Sequence, residues 1–263
     1  MTAWLALVRL ELAVLFGSPL AWLALTGFAG VAALLFFEPL RVYNQLLFAY
    51  ASTQLGGFEA DTVPDYVNLW DSVFFPAMDS LGLALLVAVP LVSMRLFAAE
   101  RASGRDELLL GAGLGPGTIV AAKFCVGITT VWAMLALALV YPAASVEPGE
   151  LGAAQVAAAC LALAGLGAGL AALALACSSL TEHQLVAAVS AWALGFALWD
   201  FGWAAPLLSE PAARGLQALA LRPRFAGLAE GLVGAADLAY FAGLVAVGAA
   251  VARASFDLRR AGA

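Results

Sequence analysis

The sequence predicts an all-α integral membrane protein, and three observations predict it. Apolar residues make up 64% of the chain and charged residues 11%, whereas soluble domains run at roughly 45–50% and about 25%. Six separate stretches approach the ~20 apolar helical residues needed to cross a hydrocarbon core about 30 Å thick. Those stretches are apolar on every side, as in Leu161-Ala-Leu-Ala-Gly-Leu and Leu83-Ala-Leu-Leu-Val-Ala, so they lack the in–out alternation of barrel strands.

The elements follow in order. Trp4–Phe16 carries Arg9 and Glu11 within an apolar pattern and reads as an N-terminal interfacial helix. It meets the membrane at Ser18-Pro19, where proline suits a helix start. The six predicted transmembrane helices are Pro19–Phe37, Phe75–Ser93, Ile119–Tyr141, Leu151–Ser178, Leu185–Trp203 and Ala235–Ala252. An acidic segment, Glu38–Phe74, joins the first two. A charged amphipathic segment, Arg95–Leu110 and on to Lys123-Phe124 at the start of the third span, joins the second and third. Between the fifth and sixth, Pro206, Pro211 and Pro223 break up a stretch too apolar for a free loop, with Leu207-Leu208 and Leu216–Leu221.

Charge sets the expected orientation. With the N-terminus inside, the inner segments hold Arg9, Arg95, Arg101, Arg105, Lys123, Arg253, Arg259 and Arg260, and the outer ones hold Arg41, Arg214, Arg222 and Arg224. The positive-inside rule then makes both termini cytoplasmic. Outer acids such as Glu38, Glu59, Asp61, Asp65, Asp71, Glu147 and Glu150 account for much of the net charge of −6, so that charge is no evidence of a basic ligand. No basic patch points to nucleic acid.

Several chemistries fail on their residue requirements. The start of the chain lacks the basic region, clean apolar core and small-residue exit of a cleavable signal, so the first helix is expected to stay. Cys125, Cys160 and Cys177 have no CxxC spacing and read as small core residues. The glycine-rich run Gly111–Thr118 has no Lys before its threonine and no preceding buried strand, which excludes a phosphate loop. An intramembrane serine protease needs a nucleophile and a histidine buried together. The single histidine, His183, lies instead beside a predicted inner turn. The extramembrane pieces are too short for a soluble catalytic domain. The chain is therefore expected to be one transmembrane domain, 1–263, without an enzymatic activity or a bound cofactor of its own.

The charged loop carries the functional expectation. Its residues Glu107-Leu108-Leu109-Leu110 offer a short apolar ridge with an acidic flank, suited to a cleft in a partner protein. An ordinary interfacial helix tucked under the lipid headgroups is the alternative. Here a resemblance enters. Ser93-Met-Arg-Leu-Phe-Ala-Ala-Glu-Arg-Ala-Ser-Gly104, the Leu triplet after Glu107, and Lys123-Phe124 resemble the first cytoplasmic loop of type-2 ABC exporter permeases, especially the gliding-motility permease group. Ala176-Cys-Ser-Ser-Leu-Thr-Glu-His-Gln184 is similar to that group's turn between spans four and five, and Arg9–Trp22 to its N-terminal helix. The chain departs from the group at His183, where asparagine is usual, and at Gly111–Gly117, where a proline commonly follows the Leu triplet more closely.

The resemblance implies a permease subunit, paired with a second permease subunit and resting on a separate ATPase that binds ATP and Mg. It implies a bacterial plasma (inner) membrane location and export or ABC-driven mechanical work. Glu100, Arg101, Asp106, Glu107, Leu108, Leu109 and Leu110 would form the cytoplasmic coupling helix between spans two and three. Ser178, Ser179, Thr181, Glu182 and His183 would form the inner turn. A re-entrant helical hairpin would fill the place between spans five and six, where a simple surface helix is the alternative.

Asp79, Asp200 and Asp237 are expected in the outer part of the membrane, where a carboxylate costs less than at the centre. Asp200, between Trp199 and Trp203, is the candidate for lining an outer vestibule, against an interfacial position. Gly165 and Gly169 are spaced for close helix contact, more simply within the chain than between chains. Spans rich in Ala, Leu and Gly with no conspicuous ion site favour a lipid-like or peptide-like cargo, or mechanical work, over ion conduction. A membrane anchor or assembly scaffold without a translocation path is the remaining functional class.

Overall fold

The computed structural model describes residues 3–55, 67–94, 96–98, 100, 104, 114–146, 151–201 and 208–262. Among them the chain is all-helical. The helices are α1 (Ala3–Phe16), α2 (Pro19–Leu55), a π-helical turn (Trp70–Phe74) leading into α3 (Phe75–Ser93), α4 (Pro116–Ser145), α5 (Ala153–Leu180), α6 (Gln184–Trp199), α7 (Glu210–Leu219), α8 (Leu221–Ala229) and α9 (Ala235–Gly262).

Five helical stretches among the described residues are long and apolar enough to cross a membrane: Pro19–Ser52, Trp70–Ala98, Pro116–Ser145, Ala153–Leu180 and Ala235–Arg259. The fifth expected span is the one that differs. Its helix, α6, has 16 residues and a length of about 24 Å, short of an apolar core about 30 Å thick. The helix stops at Trp199, and Asp200 leaves helical geometry at φ −129°, ψ 44°.

The first span differs in the other direction. α2 runs 37 residues, about 55 Å, well past the expected end at Phe37. Charge stops a span without stopping a helix. Glu38 and Arg41 pair across one turn at 2.6 Å, and Pro39 is carried inside the helix.

α1 and α2 are separated by a sharp break. Gly17 N–H donates to the Ala13 carbonyl and Ser18 N–H to that of Leu15. Trp22 Nε1 then donates back to the Phe16 carbonyl at 2.8 Å, with the two rings edge-to-face at 6.0 Å. A helix separate from α2 thus stands where the interfacial helix is expected, and it buries Leu7 and Val8 while Leu5, Leu10 and Val14 stay exposed.

α5 is the centre of the bundle, packed by α3, α4, α6, α8 and α9. A helix apolar all round belongs inside protein, and α5 buries residues on every face, from Ala158 to Ser179. Its alanines and glycines let neighbours approach closely. A Cβ on Gly169 would stand 2.7 Å from Leu244 Cδ2 of α9, and one on Gly248 of α9 would stand 2.6 Å from the Ala172 carbonyl oxygen. Gly165 also faces α9, at Phe241. These glycines serve packing within the chain.

α8 is drawn into the same core. Leu221, Phe225, Leu228 and Ala229 are buried, and the Phe225 ring packs 5.7 Å from that of Trp199. Gly82 of α3 leaves room for Phe225, since a Cβ there would come within 2.9 Å of the ring. α7 buries no residue. Its polar side holds Glu210, Arg214 and Gln217 and its other side Ala212, Leu216 and Leu219, the pattern of a surface helix.

Candidate functional site

Long-range bonds gather α1, residues 96–100, Lys123, residues 178–183 and the last turns of α9 at one end of the bundle. The site is built there from the last turn of α3 outward. Pro90 interrupts the helix ladder, and Trp192 Nε1 of α6 donates to the nearby Val87 carbonyl at 3.0 Å. Beyond Ser93 the chain makes a further helical stretch through 96–98. There Phe97 and Ala98 donate their buried N–H groups to Ser178 Oγ of α5, at 3.1 and 2.9 Å. The same hydroxyl donates to the Met94 carbonyl at 3.0 Å. One serine side chain therefore meets three backbone groups of the segment that leads into the charged loop. Apolar packing supports it: Leu96 and Phe97 are buried with Leu7 and Val8 of α1, Ile119, Val120 and Val126 of α4, Leu175 of α5, and Phe256 of α9.

Lys123 completes this end. Its side chain is 0% exposed, and Nζ lies 2.9 Å from Glu11 Oε1 of α1 and 2.8 Å from Glu100 Oε2. The Phe97 ring is a third neighbour, with its centroid 5.2 Å from Nζ, close enough for cation–π attraction. A buried ammonium needs such company, because removing a charge from water costs several kcal/mol unless partners replace the hydration. Burial, the largest influence on the Glu100 carboxyl, pushes it up to about 7. The Lys123 charge pulls against this, and the Glu11 charge and hydrogen bonding add to the rise.

The predicted inner turn lies alongside. Ser179 is buried, its hydroxyl donating to the Ala176 carbonyl at 2.7 Å and its own carbonyl accepting from Ser255 Oγ of α9 at 2.7 Å. Thr181 ends α5 in an extended conformation, and its Oγ1 accepts the His183 N–H at 3.1 Å. Glu182 pairs with Arg259 of α9 at 3.3 Å. His183 is the exposed N-cap of α6. Two of the sequence-predicted groups, Glu100 and the inner turn, are thus brought to one end of the bundle. Arg101 and Asp106–Leu110 lie outside the described residues, where Gly104 alone is described, at φ +69°.

Sequence reasoning did not pair Glu11 with Lys123, which are 112 positions apart. The available signal was that each is an isolated charge among apolar residues on the same predicted side of the membrane, a circumstance in which charges seek partners.

The opposite end has its own ionic contacts. Arg224 of α8 binds Asp237 of α9 at 3.0 Å, donates to the Ala218 carbonyl and lies 4.7 Å over the Tyr240 ring. Tyr240 OH donates to the Leu219 carbonyl at 2.6 Å. Arg222 approaches Asp79 of α3 at 3.8 Å. Asp79 and Asp237 therefore secure α8, while Asp200 is an exposed residue at the end of α6. Arg41, Arg214, Arg222 and Arg224 belong to this end, away from Lys123, Arg253 and Arg259.

No protein-family model and no curated protein matches the chain.

Proposed function

We propose that the chain is the transmembrane permease subunit of an ATP-driven ABC transporter of the type-2 exporter kind. It is driven by a separate ATPase that docks on the loop containing Asp106–Leu110. The observation that carries this reading is the Ser178 hydroxyl bonded to the backbone of Met94, Phe97 and Ala98, beside the Glu11–Lys123–Glu100 cluster. A force delivered to the loop after Glu100 reaches α1, α4 and α5 together through short polar bonds, as a coupling element requires. A surface loop with no mechanical task would need no such attachment.

The reading places both termini and this polar end in the cytoplasm of a bacterium, with α6 as a short sixth crossing of the inner membrane. α7 and α8 form the outer hairpin. The burial of Phe225 against Gly82 and Trp199 supports α8 as its protein-facing arm. A second permease subunit completes the translocation path, and ATP and Mg bind in the ATPase. A membrane anchor or assembly scaffold without its own translocation path is the second reading, favoured by the dense packing around α5.

Co-purification tests the docking loop. Each fully buried leucine contributes about 1.5–3 kcal/mol, so Leu109→Ala with Leu110→Ala should yield a folded, inserted chain that no longer retains the ATPase. Glu107→Gln should have a milder effect, since a partly exposed ion pair contributes about 0–1 kcal/mol. Equal retention of the ATPase by the double variant and the unaltered chain would overturn the coupling role. ATP-dependent cargo movement in vesicles separates the permease from the scaffold.

A further inference from the structure

A cleft opens on the flank of the bundle between α2 and α3, and small residues make it. Ala24 and Gly27 line one wall and Ala84 and Ala88 the other, and a Cβ on Gly27 would meet nothing within 4 Å. Larger side chains stand at the rims, Leu23 and Val31 on α2 and Val87 and Leu91 on α3, all at least 40% exposed. Phe28 and Met134, 4% and 1% exposed, close the floor. A second cavity of about 260 Å³, lined by Leu15, Ser18 and Leu20, shares Leu23, Ala24 and Leu91 with the first. The two form one groove that runs from the α1–α2 break to Val31.

The dimensions of the groove say what fills it. Both walls belong to stretches long and apolar enough to cross a membrane. Every residue lining the deeper cleft is apolar, so water, which needs 2–4 polar partners, has no reason to enter. A helix is too wide: about 460 Å³ over the ~12 Å between Leu23 and Val31 leaves a section of about 40 Å², against about 80 Å² for a cylinder 10 Å across. From Ser18 to Val31 the groove runs about 20 Å along α2, enough for one leaflet of a hydrocarbon core about 30 Å thick. Trp22, whose indole donates to the Phe16 carbonyl, stands near its upper end, as tryptophans do at headgroup level.

We propose that the groove between α2 and α3 is a binding site for one acyl chain of a phospholipid in the leaflet on the Lys123 side, with the headgroup at the level of Ser18 and the methyl end near Val31. A chain lying in the groove is touched by both walls and the floor, whereas a chain on the convex surface of a helix is touched on one side. Dispersion contacts accumulate with the number of neighbouring atoms, so the groove holds its chain longer than the rest of the bundle holds its lipid. The site requires only a bilayer around α2 and α3, and it stands or falls independently of any ATPase.

The test places the full chain in vesicles of phosphatidylcholine and phosphatidylglycerol that carry a phosphatidylcholine with a diazirine on one acyl chain, and maps the photo-adducts by peptide mass spectrometry. Adducts should be several-fold richer on the groove residues than on Val189 and Leu194, which are exposed on α6 at a similar depth from the same end. A diazirine near the carboxyl end of the chain should mark Leu20 and Val92, and one near the methyl end Val31 and Ala84. Gly27→Leu fills the cleft and should bring its adducts down to the level of α6, while Gly243→Leu, at another glycine with open space beside it, should leave them unchanged. Groove adducts no richer than those on α6, equal adducts in the two glycine variants, a reversed depth order, or a disulfide-linked dimer through Gly27→Cys in place of lipid adducts would overturn the proposal. The comparison within the unaltered chain decides even if Gly27→Leu fails to fold.

Discussion

Replacing Ser178 by alanine tests the grip on the segment before the charged loop. The substitution removes about one oxygen atom of volume, so packing changes little and hydrogen bonding dominates. Two backbone donors, Phe97 N–H and Ala98 N–H, lose their acceptor, and the Met94 carbonyl loses a donor. Phe97 and Ala98 are both 0% exposed, so water does not replace the hydroxyl without opening the structure. Each stranded buried donor costs about 1–3 kcal/mol. Two adjacent donors share any relaxation, which brings the sum toward the lower half of about 2–6 kcal/mol. Ser179→Ala is the matched control: it removes a hydroxyl bonded to the carbonyl three residues earlier in the same helix, while the carbonyl that Ser255 uses stays in place. Its cost should be about 0.5–1.5 kcal/mol. The measurement is the denaturant midpoint of each purified chain in the same detergent, followed by hydrogen exchange at residues 96–98. Equal midpoints for the two variants, with unchanged exchange at Phe97 and Ala98, would refute the claim that Ser178 holds this segment.

Two further substitutions probe the packing and the buried charge. Gly248→Ala places a Cβ 2.6 Å from the Ala172 carbonyl oxygen, and a helix backbone cannot turn aside as a side chain can. α9 should shift away from α5 and stability should drop by about 1–3 kcal/mol, read as a lowered Tm and altered crosslinking between cysteines placed on the two helices. Lys123→Met removes the buried ammonium that pairs with Glu11 and Glu100 and should cost about 3–5 kcal/mol. Adding Glu11→Gln and Glu100→Gln to it should restore much of that loss in a thermal unfolding series.

The membrane character was legible because composition reports the solvent around a helix directly. Where a helix ends was less legible. Apolar letters continue after Trp199 into Phe201, and nothing in them announces that α6 stops at Asp200; backbone hydrogen bonding, which apolarity does not encode, decides it. At α2 the helix outlasts the apolar run, since Glu38 and Arg41 mark the end of that run while the helix continues to Leu55. The sequence marked Glu100 and Ser178–His183 as a loop and a turn. Their meeting depends on Met94, Phe97 and Ala98 reaching Ser178 some 80 positions away, and such separation leaves no periodic trace. Lys123 falls within the expected span Ile119–Tyr141 and stands inside α4 with no exposure. A lone cation among apolar residues demands a partner, but one sequence does not say which acid supplies it.

Polar and apolar contacts divide the helices into two mechanical classes. Met94, Phe97 and Ala98 are joined to α5 by Ser178, Glu100 to α4 by Lys123, which also holds Glu11 of α1, and α5 is joined to α9 by Ser255. Directed bonds of this kind tolerate little sliding, because a donor shifted by an ångström is a donor lost. α2 meets α3 and α4 through apolar side chains such as Phe28, Phe36, Leu85 and Met134, whose attraction has no preferred direction. Its contact with α3 also leaves an open cleft of about 460 Å³ between Leu23, Gly27, Val31, Val87 and Leu91. On the proposed coupling role, displacement of the segment before the charged loop would carry α1, α4, α5 and α9 with it more readily than α2. The break at Gly17-Ser18 lies between an α1 held by the Glu11–Lys123 bond and an α2 packed through apolar side chains.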